Sequence, residues 1–157
     1  MSLEPVRYEF PLSSVASGQA DDWVVIALSA VSPLGSWSHQ EACLMTWEAK
    51  EVSAWLRSVA NGLVEPVEPD NGELLEPSLF FIEPALGFNL SNQTESAAEL
   101  RVYLTYGLAP PWLDVDERCD PSGFFLPVAV PIGDLDRAAD AWDQEWIAFP
   151  ERSAARP

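Results

Sequence analysis

Lysine occurs once in these 157 residues, and seven arginines complete a basic set of eight against 25 acidic side chains, a formal net charge of −17 at pH 7. A surface so poor in positive charge repels nucleic-acid phosphate and anionic lipid, which excludes both as partners. It attracts cationic partners instead, over a Debye length of about 8–10 Å. Cysteine is also scarce. Cys43 and Cys119 are two lone thiols, without the density of a disulfide scaffold or the C-x-x-C spacing of a zinc or redox site. Reduced cysteines in a cytoplasmic protein are the plain expectation, with a Cys43–Cys119 bridge as the weaker alternative. Long apolar runs are missing as well. The longest, Trp23 to Leu28, is far shorter than the ~20 residues that cross a bilayer. Met1 to Phe10 carries Glu4 and Glu9 and no apolar run, unlike a secretory signal. Neither a Walker A motif nor G-x-G-x-x-G is present to cradle phosphate.

What is present is apolar and aromatic. Hydrophobic residues make up 48% of the chain and seven are Trp, which excludes disorder from low hydrophobicity despite the charge. The length suits one domain, 1–157, since domains cluster at about 100–150 residues. Self-repulsion among the acids opposes compaction, and the aromatic core must offset it.

Periodicity predicts the elements. Val6 to Leu12 opens a sheet. Trp23 to Ser32 is apolar on both faces and β-branched, as a central strand is. Ser32-Pro33-Leu34-Gly35 turns the chain, and Ser36 to Met45 returns as its hairpin partner. Thr46 is placed to cap a helix whose inward stripe is Val52, Trp55, Leu56 and Val59, with Gly62 past its end. Leu79 to Ile82 is expected as a short buried strand. Leu86, Phe88 and Leu90 alternate with polar or small residues, and Leu100 to Tyr106 shows the clearest period of two. Phe124 to Val130 is a further strand, with Pro127 arguing for an edge position. Asp134 is placed to cap a last helix with the stripe Leu135, Ala138, Ala139, Trp142, Trp146 and Phe149, stopped by Pro150. Residues 150–157 are then a tail. The order β-β-β-α-β-β-β-β-α predicts an α+β fold: an antiparallel sheet of about six to seven strands with two helices packed on it.

The acids are concentrated. Between Ser58 and Glu99 there are eight acids and no base. Inside that span, 63–78 repeats Glu-Pro at Glu65-Pro66, Glu68-Pro69 and Glu76-Pro77, the composition of an acidic loop rather than an element. A second loop, Gly107 to Ser122, sets Pro110-Pro111-Trp112 beside Asp114, Asp116, Glu117 and Asp120.

No catalytic pattern survives inspection. His39-Gln40-Glu41 is the H-x-E fragment of zinc deaminases, but the P-C-x-x-C partner is missing. Trp37, His39, Glu41 and Cys43 would share a strand face, where a lone His beside Trp is far more often packing than a metal ligand. Ser36, Ser38 and His39 lack a nucleophile elbow and an orienting carboxylate. Asp114-x-Asp116-x-x-x-Asp120 opens like an EF-hand, but Cys119 stands where that loop needs Gly and Phe125 where it needs Glu. Paired carboxylates for glycoside hydrolysis carry no specificity among 25 acids. No catalytic, cofactor or metal residue is expected.

Several ordered segments resemble the WapI family of bacterial immunity proteins, cognate to polymorphic toxins of the cell-wall-associated WapA type. They are Gly35-Ser36-Trp37-Ser38, Cys43-Leu44-Met45-Thr46-Trp47-Glu48, Trp55-Leu56, Phe81-Ile82-Glu83-Pro84-Ala85-Leu86-Gly87-Phe88, Pro111-Trp112 and Phe149-Pro150-Glu151-Arg152. The resemblance implies a cytoplasmic, non-enzymatic protein that binds and blocks the C-terminal domain of an incoming toxin, often a nuclease. Nucleases are basic because they hold phosphate, so an acidic inhibitor suits them. The residues placed to make that contact are Glu65, Glu68, Asp70, Glu73 and Glu76 in the first loop, and Trp112, Asp114 and Asp116 in the second. The alternatives are a hydrolase using paired carboxylates, which requires a pocket holding two perturbed acids, and a structural or assembly module with a large apolar patch.

Overall fold

The computed structural model describes residues 1–11, 22–67 and 77–152. Trp23–Ser32 forms strand β2, central in a three-stranded antiparallel sheet between β1 (Ser2–Tyr8) and β3 (Gly35–Met45). Its apolar character on both faces is used: Val24, Val25, Ile26, Leu28 and Ala30 are all buried. The β2–β3 turn pairs Ser32 with Gly35, and the Ser32 hydroxyl accepts from the Leu34 N–H and donates to the Gly35 carbonyl. Near its end β3 carries one extra residue, Cys43, since Val24 faces Leu44 and Val25 faces Ala42. That bulge turns both Cys43 and Leu44 inward. The first strand lies earlier than Val6 to Leu12, and Leu12 is outside the described residues.

The remaining strands form a second antiparallel sheet in the order β4 (Leu79–Phe80), β5 (Leu86–Gln93), β6 (Ala97–Leu104), β7 (Phe125–Pro131). Pro127 and Pro131 sit on edge strand β7, where a missing donor breaks no ladder. Among the described residues the strands number seven, in the expected α+β order, but divided between two sheets. Alternation along a strand reveals which face is inward, not which strand lies beside it. Ile26, Leu28 and Trp37 of one sheet share a core with Leu86, Phe88 and Leu104 of the other.

Helix α1 (Ala49–Ala60) buries Ala49, Val52 and Val59, and packs the Trp55 ring 5.7 Å from Phe88. Its end closes at Gly62, φ +67°, with Gly62 N–H to Val59 O and Leu63 N–H to Ser58 O satisfying the last carbonyls. Thr46 does not cap it, because the helix starts three residues later. A short α2 (Val115–Cys119) interrupts the second acidic loop, and α3 (Ile132–Trp146) buries Leu135, Ala139, Trp142 and Trp146. Asp134 lies in the first turn of α3 instead of before it and pairs with Arg137. Arg57 joins the two long helices, reaching Asp140 at 2.7 Å and Asp143 at 2.8 Å, while Trp142 Nε1 donates to Ala49 O at 2.8 Å.

Glu48 is the joint of the molecule. It is 1% exposed, and its carboxylate accepts from the Met45 N–H and the Ile82 N–H, both at 2.8 Å. One oxygen therefore holds the end of β3 and the other holds the segment after β4, in the second half of the fold. Burial raises its pKa, against the two N–H groups that favour the charge. Glu48→Ala leaves two covered donors without partners at about 1–3 kcal/mol each. The variant is expected to lose about 2–4 kcal/mol in urea unfolding, with Glu48→Gln, which restores one acceptor, falling between it and the parent.

Candidate functional site

Both acidic loops rejoin the core at one apolar hollow. Pro77, which follows the first loop, packs against β5 where Gly87 admits it: a Cβ on Gly87 would lie 2.7 Å from the proline ring. Ser78 then anchors the chain, its N–H donating to Phe88 O at 3.0 Å. Asp120, Pro121 and Ser122 end the second loop, where Asp120 Oδ1 accepts from the Ser122 N–H. Pro77, Phe80, Pro84, Leu86 and these three residues line a hollow of about 360 Å³. Its rim holds exposed apolar surface. Phe80 is 66% exposed and Ile82, two residues on, 60%, while Phe81 between them is buried. Leu79 to Ile82 is therefore not a buried strand: β4 is an edge of two residues, and across the segment Leu79 and Phe81 turn inward while Phe80 and Ile82 face out.

The predicted contact residues divide by support. Glu65 is exposed on the segment leaving α1, held where the Val67 N–H donates to Leu90 O and Arg101 Nη1 donates to Val67 O. Glu68, Asp70, Glu73 and Glu76 lie outside the described residues. Trp112 is 39% exposed and stands edge-on to Trp37, ring centroids 5.2 Å apart. Its other neighbour is Gly35, where an added Cβ would come within 3.1 Å of the indole. Trp37 in turn donates from Nε1 to Leu108 O at 3.1 Å, so the platform under Trp112 is fixed. Asp114 caps α2 through a reciprocal pair: Glu117 N–H to Asp114 Oδ1 at 2.9 Å, and Asp114 N–H to Glu117 Oε2 at 3.1 Å. Asp116 is exposed in the first turn of α2. Trp112, Asp114 and Asp116 are thus brought together on one loop, whereas Glu65 is tied to β5 and β6.

The hollow was not foreseen, and neither was α2. Both left a trace in the sequence. Asp114-x-x-Glu117 is a capping box, and Phe80-Phe81-Ile82 places three large apolar residues where a strand can bury only alternate ones.

A second acidic grouping sits on β3. Burial raises the Glu41 pKa, and the Glu83 and Glu9 charges raise it further, against a smaller opposing effect from His39. The Glu41 carboxylate packs on the backbone at Gly107, where any Cβ would collide with it. Burial pushes the Cys43 thiol far up as well, which makes it unreactive. Cys43 and Cys119 are both free thiols, the first buried and the second exposed. His39 is half-buried opposite Leu28 with Nε2 covered and unpartnered. Among the described residues no group of three or more His, Cys, Asp or Glu side chains is placed to hold a metal. No helix among them is long and apolar enough to cross a membrane.

The raised Glu41 value has a definite sign. Its protonated form favours folding, a contribution fully present below the unfolded value near 4.5 and lost as pH rises through the raised folded value. Glu41→Gln is expected to be more stable than the parent at neutral pH, with the advantage shrinking as pH falls toward 4.5. Urea midpoints measured across that range check it, and an advantage that does not change with pH would rule out the charge as its cause.

No curated protein and no solved structure matches the chain. The family model described as the immunity protein WapI-like family matches residues 1–150. The match takes in both sheets, all three helices and both acidic loops, and the chain belongs to the WapI-like immunity protein family.

Proposed function

We propose that this protein is a non-enzymatic immunity protein that binds and neutralises a cognate bacterial toxin domain, through the face where the two acidic loops meet the apolar hollow. The observation that carries the reading, beside family membership, is the composition of that face. Phe80, Leu86 and three prolines line the hollow beside Asp120, and Ile82, two residues on from Phe80, adds exposed apolar surface. An apolar centre within a charged rim is the anatomy of protein interfaces, in which aromatic anchors supply affinity and rim charges supply encounter rate. A net charge of −17 selects a basic partner, and a nuclease domain is one by necessity. The cytoplasm is where such a toxin acts and where its inhibitor must wait.

The hydrolase alternative finds no comparable support. Glu41 and Glu83 are two acids close enough to interact, but the Glu41 carboxylate is closed off by the backbone at Gly107 and does not line the hollow.

If an adjacent gene encodes a toxin domain, co-expression with it is the direct test: cells carrying both should grow, and cells carrying the toxin domain alone should not. Glu65→Lys, Glu68→Lys and Asp70→Lys together are expected to slow association with that domain by about tenfold at low salt and to flatten its salt dependence. Unchanged low-salt rates would remove the first loop from the interface. Phe80→Ala, at an exposed position, is expected to leave the unfolding midpoint within about 0.5 kcal/mol of the parent. It should weaken binding by about 5–30-fold, read by titration calorimetry.

A further inference from the structure

The apolar hollow has a one-sided polar chemistry. Asp120 is the one charged residue in its lining, which otherwise consists of Phe80, Leu86, three prolines and Ser122. The Ser122 N–H and hydroxyl both donate to Asp120 Oδ1, at 2.9 and 3.1 Å. Oδ2 takes no hydrogen bond among the described residues, and on this half-buried residue it is not one of the covered, unpartnered atoms. It is therefore an open acceptor. Arg118, two positions away, is spent on Tyr106 O at 3.3 Å, and no ion pair among the described residues includes Asp120. Proline has no N–H, and both Ser122 donors are taken. The side chains of the hollow thus offer apolar surface, one negative charge and a free acceptor, but no free donor.

Elsewhere on the same sheet, such surroundings hold an arginine. Arg101 of β6 lies over the Phe125 ring, 5.4 Å from its centroid, with Glu99 and Pro127 lining the same recess. In the hollow, exposed Phe80, the prolines and Asp120 repeat that set of groups without a cation. A guanidinium suits them, because it is weakly hydrated, stacks on an aromatic face and pairs with a carboxylate. Its aliphatic stem covers apolar surface at the same time. An ammonium is more strongly hydrated and loses more on leaving water. A purely apolar anchor would cover Asp120 without giving Oδ2 a donor, which carries a desolvation cost.

We infer that the hollow seats an arginine side chain of the protein partner, with its stem along the prolines and its guanidinium on Phe80, paired with Asp120 Oδ2. The inference rests on the reading of the hollow as the contact face, and it names the residue that enters. The net charge of −17 draws a basic segment toward the molecule from any direction, and the single carboxylate among apolar groups selects where its arginine lodges.

The probe is acetyl-Ala-Arg-Ala-amide, titrated into the ¹⁵N-labelled protein at about 150 mM salt, where diffuse attraction is screened. The control is the same peptide with citrulline, which keeps the shape of arginine and removes its charge. The Phe80 and Ser122 amide resonances are expected to shift and saturate with a dissociation constant of about 1 mM, the scale of a few contacts. Citrulline should bind at least about fivefold more weakly, and so should the arginine peptide to Asp120→Asn, which keeps an acceptor for Ser122. Glu95→Gln removes the same charge at the β5–β6 turn and should leave the affinity within about 1.5-fold. Resonances unmoved at about 20 mM arginine peptide, or an equal loss in Asp120→Asn and Glu95→Gln, overturn the inference. Equal shifts with citrulline overturn it too and leave the hollow as an apolar contact face. Failure of that wider reading looks different: the arginine peptide binds as expected, while Phe80→Ala leaves affinity for the toxin domain unchanged. That result would keep the arginine seat and overturn its assignment to the toxin.

Discussion

A buried carboxylate with two backbone donors holds this fold together. Glu48 takes the Met45 N–H with one oxygen and the Ile82 N–H with the other, so the first sheet, the start of α1 and the segment after β4 share one anchor. The cost of burying a charge is visible in its raised pKa. The arrangement persists because the N–H groups would otherwise be buried without partners, a worse outcome than a desolvated carboxylate with two good bonds. Once the anchor is set, Ala85, Leu86 and Phe88 fall into the common core, and Pro84 and Pro77 are left to wall the hollow.

The same logic explains the segments that resemble the family. Cys43 to Glu48 meets Phe81 to Phe88 through the Glu48 carboxylate. Gly35 to Ser38 meets Pro111-Trp112 through the Trp37–Trp112 ring contact. Phe149 to Arg152 meets the start of the chain: Arg152 lies over the Tyr8 ring, and its N–H donates to Asp22 Oδ1 at 2.6 Å. These segments are joints between distant parts of the chain. A family signature made of joints identifies a fold, and it leaves the surface loops free to differ with the partner. Glu48 and Asp22 are acids that serve at these joints, whereas Asp114, Asp116 and Glu117 lie exposed on a loop.

Much of the architecture was legible because it is local. Leu100 to Leu104 alternates and is a strand; Trp23 to Ser32 is apolar on both faces and is central; Val52, Trp55, Leu56 and Val59 form a stripe that packs inward. Contacts between distant segments left no periodic trace. Glu48 reads as a helix-dipole partner in the first turn, and only the approach of Ile82 makes it a buried anchor. The division into two sheets was hidden for the same reason. Of the candidate site, Trp112 was legible as a half-exposed aromatic because two prolines precede it. The hollow was not, since Pro77 and Pro121 are 44 positions apart in sequence and meet only in the fold.

The surface proposed to meet a toxin domain is the apolar hollow. Hydrogen–deuterium exchange of the free protein and of its complex with that domain tests it at the level of single segments. Slowed exchange at Leu79 to Ile82 and at Ser122 and Gly123 is expected when the complex forms. A stable complex in which those amides exchange at the rates of the free protein would contradict it.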